Sequence, residues 1–402
     1  MLSVLHSQAD VSYRTWQRDV VHFGKSDVAV ATKPGLFSYG SQDAAAVMLV
    51  ECAIVSAGDV VAYVNCGNGL FGVIAATTGQ AREVLLTDRN VISAEAARRT
   101  LSMHGVENGT VRLQQGIGDA MTNGVADIVA IRIPHERLAQ LQLLQDAYDS
   151  LRVGGRCYIA GATNEGVKTA ARLLKQRFGQ AAVLASGGGC RVVVATKTNE
   201  ELLPDPVFDN PLLCAAHFNE VCAMLREHPL TIFSRPGVFS FAHVDEATQL
   251  LANVMDVKAG ESVLDLGCGC GALGAVAGML SAGASLCLVD ADIEAVRSAS
   301  RTVAAAGHAH AQVVVSDIAA AVRSERFDVV VSNPPFHIGK ETALDVPMQF
   351  MREAHHVLNT GGRMMLVANR TLPYERAMTD IFGNVSVMHD GARFKVLVAL
   401  KQ

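Results

Sequence analysis

The chain has 402 residues, enough for two ordinary domains, with 50% apolar residues, 5% aromatics and 35 glycines. A net charge of −5 and the lack of a basic tail argue against strong nonspecific binding to nucleic acid. Residues 266–289 carry no charge, yet six glycines inside that run, with Asp265 and Asp290 flanking it, argue against a membrane span.

The N-terminus, Met1-Leu2-Ser3-Val4-Leu5-His6-Ser7, has no basic region ahead of a long apolar core. No signal peptide is expected, and the location is expected to be cytoplasmic. The nine cysteines form no C-x-x-C pair and no regular framework, which fits reduced thiols. Cys268 and Cys270 read as small residues in a glycine loop rather than metal ligands. His308, His310, His355 and His356 lack a ligand set, so no metal is expected.

Taken in order, the first half shows Thr32-Lys33-Pro34-Gly35-Leu36-Phe37-Ser38, then Gly67, Gly69, Gly72 and Asp88. Leu151-Arg152-Val153-Gly154-Gly155-Arg156 follows, and the half closes on the apolar run 191–197, which ends in Lys197. Every piece recurs. Ser234-Arg235-Pro236-Gly237-Val238-Phe239-Ser240 repeats the first motif, and Gly269, Gly271, Gly274 and Asp290 repeat the glycines and the aspartate with a shift of 202 (269 − 67, 290 − 88). Leu358-Asn359-Thr360-Gly361-Gly362-Arg363 repeats the third, and 394–401 closes on Lys401. The period is too long for a solenoid and marks one domain duplicated. The boundary is expected in the Pro-rich, acidic segment 200–206, giving domains 1–202 and 203–402.

The second half alternates predicted strands and helices, hence a mostly parallel sheet. Strands are expected over 262–266, 285–289, 312–315, 328–332 and 362–367, and helices over 272–281, 293–306, 348–358 and 374–382. The last two strands, 385–388 and 394–400, are separated by five residues, too few for a crossover helix, and must form an antiparallel hairpin.

Two stretches carry chemistry. Asp265-Leu266-Gly267-Cys268-Gly269-Cys270-Gly271 sits at the first strand–helix junction, where glycines let the backbone approach a ligand and present N–H groups. Asp290 ends the second strand, placed to accept from ribose hydroxyls, and Asp317 ends the third, placed to face a base. Gly269-x-Gly271-x-x-Gly274 also satisfies a dinucleotide fingerprint, which keeps an NAD-dependent oxidoreductase open. Asn333-Pro334-Pro335-Phe336 follows a buried strand. Its prolines end the ladder and leave a stiff loop with a side-chain amide, a backbone carbonyl and an aromatic face, the parts needed to hold a planar group bearing NH2.

An acidic-Gly-x-Gly-x-Gly loop, an acidic ribose ligand, Asn-Pro-Pro-aromatic and a C-terminal hairpin resemble class I S-adenosylmethionine-dependent methyltransferases of the amino-methylating type. Asn333-Pro334-Pro335-Phe336-His337, Val367-Ala368-Asn369-Arg370-x-Leu372-x-Tyr374 and Gly391-Ala392-Arg393-Phe394-Lys395-Val396 narrow the resemblance to bacterial ribosomal RNA guanine-N2 methyltransferases, as does the duplication. The resemblance implies two tandem Rossmann-like domains, each a mostly parallel seven-stranded sheet with a C-terminal antiparallel hairpin. It implies S-adenosyl-L-methionine as cofactor, held by Asp265, Gly267, Gly269, Gly271, Asp290, Ala291, Asp317 and Asn333. Catalysis falls to Asn333, Pro334, Pro335 and Phe336, with Phe239, His337, Arg370, Arg393 and Lys395 as substrate contacts. The implied partner is ribosomal RNA, most of all 16S, or a ribosomal subunit, and a monomer is expected. Adenine N6 and glutamine amide use the same loop, and a 23S target fits the motifs nearly as well. A noncatalytic RNA-binding assembly factor is the remaining alternative.

The first copy has lost what the second keeps. Tyr63 stands where Asp265 does, Asn65 where Gly267 does, and Arg132-Ile133-Pro134-His135 where Asn-Pro-Pro-Phe does. A guanidinium cannot accept from an amine, so this half cannot catalyse the same reaction. Within 151–198, eight basic residues face one acidic residue, Glu165, which makes a phosphate-contacting surface a hypothesis.

Overall fold

The structure, a computed structural model, describes residues 13–24, 26–200, 205–281, 283, 285–335 and 345–402. Two of the expected site residues, Phe336 and His337, lie outside the described residues. The chain forms two compact units, one of residues 14–217 and one of 218–402 together with Tyr13.

The first unit opens on a hairpin, β1 (Gln17–Phe23) with β2 (Ser26–Thr32), turned by Gly24 at φ 54°. Helix α1 (Ala44–Cys52) starts at Asp43, whose carboxylate accepts the N–H groups of Ala45 and Ala46. Then come β3 (Val60–Val64), α2 (Leu70–Thr77), β4 (Glu83–Asp88), α3 (Val91–Met103), β5 (Gly109–Leu113), β6 (Ala126–Arg132) and α4 (Arg137–Ser150). Strand β7 (Leu151–Ala162), α5 (Val167–Phe178), β8 (Ala182–Gly187) and β9 (Cys190–Thr196) complete it. The sheet order is β5-β4-β3-β6-β7-β9-β8, parallel except where β9 pairs with β7 and β8.

The second unit repeats this plan. Its hairpin is β10 (Asn219–Leu225) with β11 (His228–Ser234). It continues through α6 (Glu246–Val254), β12 (Val263–Leu266), α7 (Ala272–Leu280), β13 (Leu286–Asp290), α8 (Ile293–Ala305), β14 (Gln312–Val315) and β15 (Phe327–Ser332). The rest is α9 (Asp345–Val357), β16 (Leu358–Asn369), α10 (Tyr374–Phe382), β17 (Ser386–Asp390) and β18 (Phe394–Leu400). The order is β14-β13-β12-β15-β16-β18-β17. Strand order reverses beside β12, between β13 and β15, the place where open α/β sheets bind ligands. The inner strands are apolar on both faces, as a sheet covered by helices requires: Val263, Leu264, Leu266, Val329, Val330 and Val331 are fully buried.

Two details depart from the sequence expectation. The junction falls at 217/218 rather than 202/203, because Leu213 packs with Leu141 and Leu144 of α4, and Val207 and Phe208 lie against the same cluster. Strand β16 begins at Leu358, directly after α9, because Leu358 pairs with Phe327 across a bulge and Gly361, at φ 83°, lets the strand resume. The closing hairpin forms as expected, and β18 lies between β16 and β17, antiparallel to both. Residues 395–399 of β18 are buried, whereas all of β17 is exposed, so the strand able to cover both faces takes the inner place.

Candidate active site

Asp265, at the end of β12, is fully buried. Its Oδ2 accepts the N–H of Gly274 at 2.7 Å, while Oδ1 is buried without a partner. Burial pushes this carboxyl up to about 7, against the pull of the Gly274 N–H and with a further push from Asp290. An orphaned acceptor in so dry a place suits a cationic donor.

The glycines divide by task. At Gly271 a Cβ would stand 2.8 Å from Cα of Ala299 in α8, and at Gly274 it would strike Leu288, so both serve helix and strand packing. A Cβ on Gly267 would meet the ring of Phe350 at 2.9 Å. Gly269 faces open space, and its N–H donates to Asp290 Oδ2 at 2.9 Å. Asp290 Oδ1 accepts from the Asp292 N–H at 2.9 Å, so the carboxylate is held at the lip of the loop next to Ala291. Asp317 follows β14, and its Oδ1 accepts from the hydroxyl of Tyr13 at 2.9 Å. Burial keeps both loop thiols protonated, with Cys270 pushed up to about 11, and among the described residues no group of three or more possible ligands could hold a metal ion.

Asn333 leaves β15 beside this loop. Its Nδ2 donates to Thr248 Oγ1 at 2.9 Å and to Asp245 Oδ2 at 3.4 Å. The Thr248 hydroxyl is itself committed as a donor to Asp245, so it can only accept from Asn333. The network therefore sets which end of the amide is nitrogen and leaves Oδ1 as a buried acceptor without a partner. Pro334 is buried beside it. Sequence reasoning missed Asp245 and Thr248. The repeat carried the signal, since Asp43 plus 202 is Asp245 and both cap the helix after the hairpin.

The remaining expected residues are spread more widely. Phe239 is 63% exposed, on the loop whose Ser240 hydroxyl reaches Asp245 Oδ2 at 3.4 Å. Arg393 is exposed and pairs with Glu246; Arg370 pairs with Asp390 at 2.8 Å. Lys395 is 6% exposed and paired with Glu375, which places its ammonium inside the protein rather than on a phosphate-facing surface.

A profile of the methyltransferase small domain matches residues 27–194 and again 229–398. Curated relatives include the ribosomal RNA small subunit methyltransferase C of Erwinia tasmaniensis, 35% identical over 65% of this chain and 72% of that protein. The protein of the same name from Sodalis glossinidius is 32% identical over 71% and 77%. Among solved structures, the T. thermophilus 16S rRNA N2 G1207 methyltransferase in complex with AdoMet and guanosine superposes with a TM-score of 0.81 at 28% identity, over 98% of this chain and 100% of that one. With both halves matched and the sheet order of each accounted for, the chain belongs to the methyltransferase small domain family.

Proposed function

We propose that this protein transfers a methyl group from S-adenosyl-L-methionine to the exocyclic N2 amine of a guanine in 16S ribosomal RNA, at the site in residues 218–402. The observation that carries the reading is the Asn333 amide, whose nitrogen is tied to Asp245 and Thr248 and whose buried oxygen lacks a donor. The named relatives act on small-subunit RNA, and the solved one holds AdoMet and guanosine.

The cofactor would be held by Asp265 and Asp290, with the Gly269 backbone facing open space and Asp317 beyond; when bound it supplies an electrophilic methyl on a sulfonium. The protein's own residues do the rest. The guanine amine is a poor nucleophile because its lone pair is conjugated into the ring. Asn333 Oδ1 and the carbonyl of Pro334 accept its two N–H groups, which favours a pyramidal nitrogen with its lone pair free to attack. That is orientation and electrostatics: the C–N bond would form as the S–CH3 bond breaks to leave a neutral thioether, and the nitrogen, acidic once methylated, would lose its proton to water with no strong base required. The target base must leave its stack to reach the loop, and Phe239 offers an exposed ring nearby. The first unit then serves as a degenerate copy that contributes folding and RNA contact. A monomer working in the cytoplasm, where ribosomes are assembled, completes the reading.

The test is methyl transfer from labelled cofactor to 16S RNA and to small subunits, with the modified base mapped. Methylated guanine N2 with wild type and none with Asn333→Ala supports the reading. Incorporation only into 23S RNA, or binding of NAD in place of S-adenosylmethionine, overturns it.

A further inference from the structure

Tyr13 belongs to the second unit although 304 positions separate it from Asp317. Its side chain is 4% exposed and packs in the cluster that contains Ile318, Ala319, Val346 and Phe350. Its hydroxyl donates to Asp317 Oδ1 at 2.9 Å. The backbone beneath that carboxylate is held on both sides. The Ser316 N–H donates to the Asp290 carbonyl at 2.8 Å, and the Ala319 N–H donates to Glu353 Oε2 at 2.9 Å. Ile318 sits at φ 53°, a conformation a β-branched residue adopts only when its surroundings impose it.

The first unit shows what this station looks like without the tyrosine. Gln114 donates to the Asp88 carbonyl at 2.9 Å as Ser316 does to Asp290, so Gln115 is the counterpart of Asp317. Gln115 is buried and neither of its amide atoms has a partner. An ionised carboxylate only accepts, and it can do so at both oxygens. Tyr13 supplies a donor to Asp317 Oδ1 and so limits the rotation of the group; the amino group of an adenine is a fitting further donor.

We propose that Tyr13 is a positioning residue of the cofactor site, orienting the Asp317 carboxylate to accept the exocyclic amine of the cofactor's adenine. Tyr13, distant from Asp317 in sequence, is then part of the second unit's working pocket. This rests on the methyltransferase reading and on Asp317 facing the base.

Calorimetry with two ligands tests it: S-adenosylhomocysteine, and its inosine analogue, which carries a carbonyl in place of the amine. Tyr13→Phe keeps the ring that fills the core and removes the donor. It is expected to weaken S-adenosylhomocysteine by about fivefold to tenfold, the scale of one hydrogen bond, and to leave the inosine analogue unchanged. The KM for S-adenosylmethionine rises while kcat at saturation holds. Asp317→Asn is expected to abolish the preference for the adenine ligand, with Tyr13→Phe adding nothing in that background. An equal loss for both ligands, or no loss for either, overturns the proposal by making Tyr13 a packing residue only. A preference that survives Asp317→Asn overturns it through its premise about Asp317. Failure of the wild type to bind either ligand overturns the methyltransferase reading itself.

Discussion

The two units share a sheet order, a preceding hairpin and a glycine loop, and they differ where chemistry would be done. In both, the aspartate ending the second parallel strand accepts from a loop glycine: Gly67 to Asp88 at 3.0 Å, Gly269 to Asp290 at 2.9 Å. In both, a helix-capping aspartate reaches the residue at the carboxyl end of the fourth parallel strand, Arg132 or Asn333. There the resemblance stops. Asp245 orients the neutral amide of Asn333, whereas Asp43 binds the guanidinium of Arg132 at 2.7 Å, and Glu165 clamps the same group at 2.6 and 2.8 Å. Burial alone would lower the pKa of Arg132, but Glu165 and Asp43 outweigh it and hold the arginine charged. Tyr63, packed edge-on against Phe71 at 5.3 Å, fills the station of Asp265. One unit keeps unsatisfied acceptors; the other has closed the same positions with ion pairs and rings. Duplication thus let one copy trade ligand groups for internal contacts while the fold stayed the same.

This contrast can be broken at its sharpest point first. Asn333→Ala should lower kcat by about a thousandfold, on the scale of removing one preorganised hydrogen-bonding group. A variant that keeps activity would remove Asn333 from the mechanism. Arg132→Asn should not awaken the first unit, since Tyr63 remains. It should instead cost about 3 kcal/mol in urea unfolding, because Glu165 is left buried without its cation and half-buried Asp43 loses its ion pair.

Asp290→Ala should weaken cofactor binding by roughly tenfold or more, through lost ribose contacts and a freed Gly269 N–H. Asp88→Ala should leave that affinity unchanged, and equal losses at the two sites would show that both units bind. Asp265 adds a pH signature. Its folded pKa, about 7, lies above its ordinary 3.8, so its contribution to stability is full below about pH 4 and is lost as pH rises through 7. Binding a cationic group should pull that pKa down. Cofactor affinity should then rise as pH increases toward 7, with a fraction of a proton released near pH 6.5 in buffers of different ionisation enthalpy. Asp265→Asn should release none.

The smallest effect is expected on the surface of the first unit. Of its eight basic residues in 151–198, Arg152, Arg156 and Arg177 are paired with Asp127, Asp59 and Asp149, and Lys197 donates to the carbonyls of Tyr148 and Leu151. Lys168, Arg172 and Lys175 stay exposed along α5. Reversing Arg172 and Lys175 to Glu should weaken RNA binding and flatten its salt dependence by about two phosphate contacts. Unchanged affinity would move the contact elsewhere.

Much of this was legible in advance because the signals are local. The glycine loop, the strand-ending aspartates and the Asn-Pro-Pro turn each need only their own neighbours, and a shift of 202 for the first two and 201 for the turn (333 − 132) aligned them between copies. The partners of Asn333 were not legible, because Asp245 lies 88 positions away and an N-cap aspartate reads as a helix start and nothing more. The burial of Lys395 was not legible either: the resemblance offered it as a substrate contact, and the sheet buries it against Glu375. The sequence by itself determined the duplication, the α/β alternation, the terminal hairpin and the loss of acceptors in the first copy, since these follow from residue type and spacing. Only the tertiary structure decided that β18 enters the sheet ahead of β17, that residues 205–217 pack with the first unit, and that Tyr13 reaches Asp317. Those choices depend on which distant surfaces are free to be buried, and spacing along a chain does not encode that.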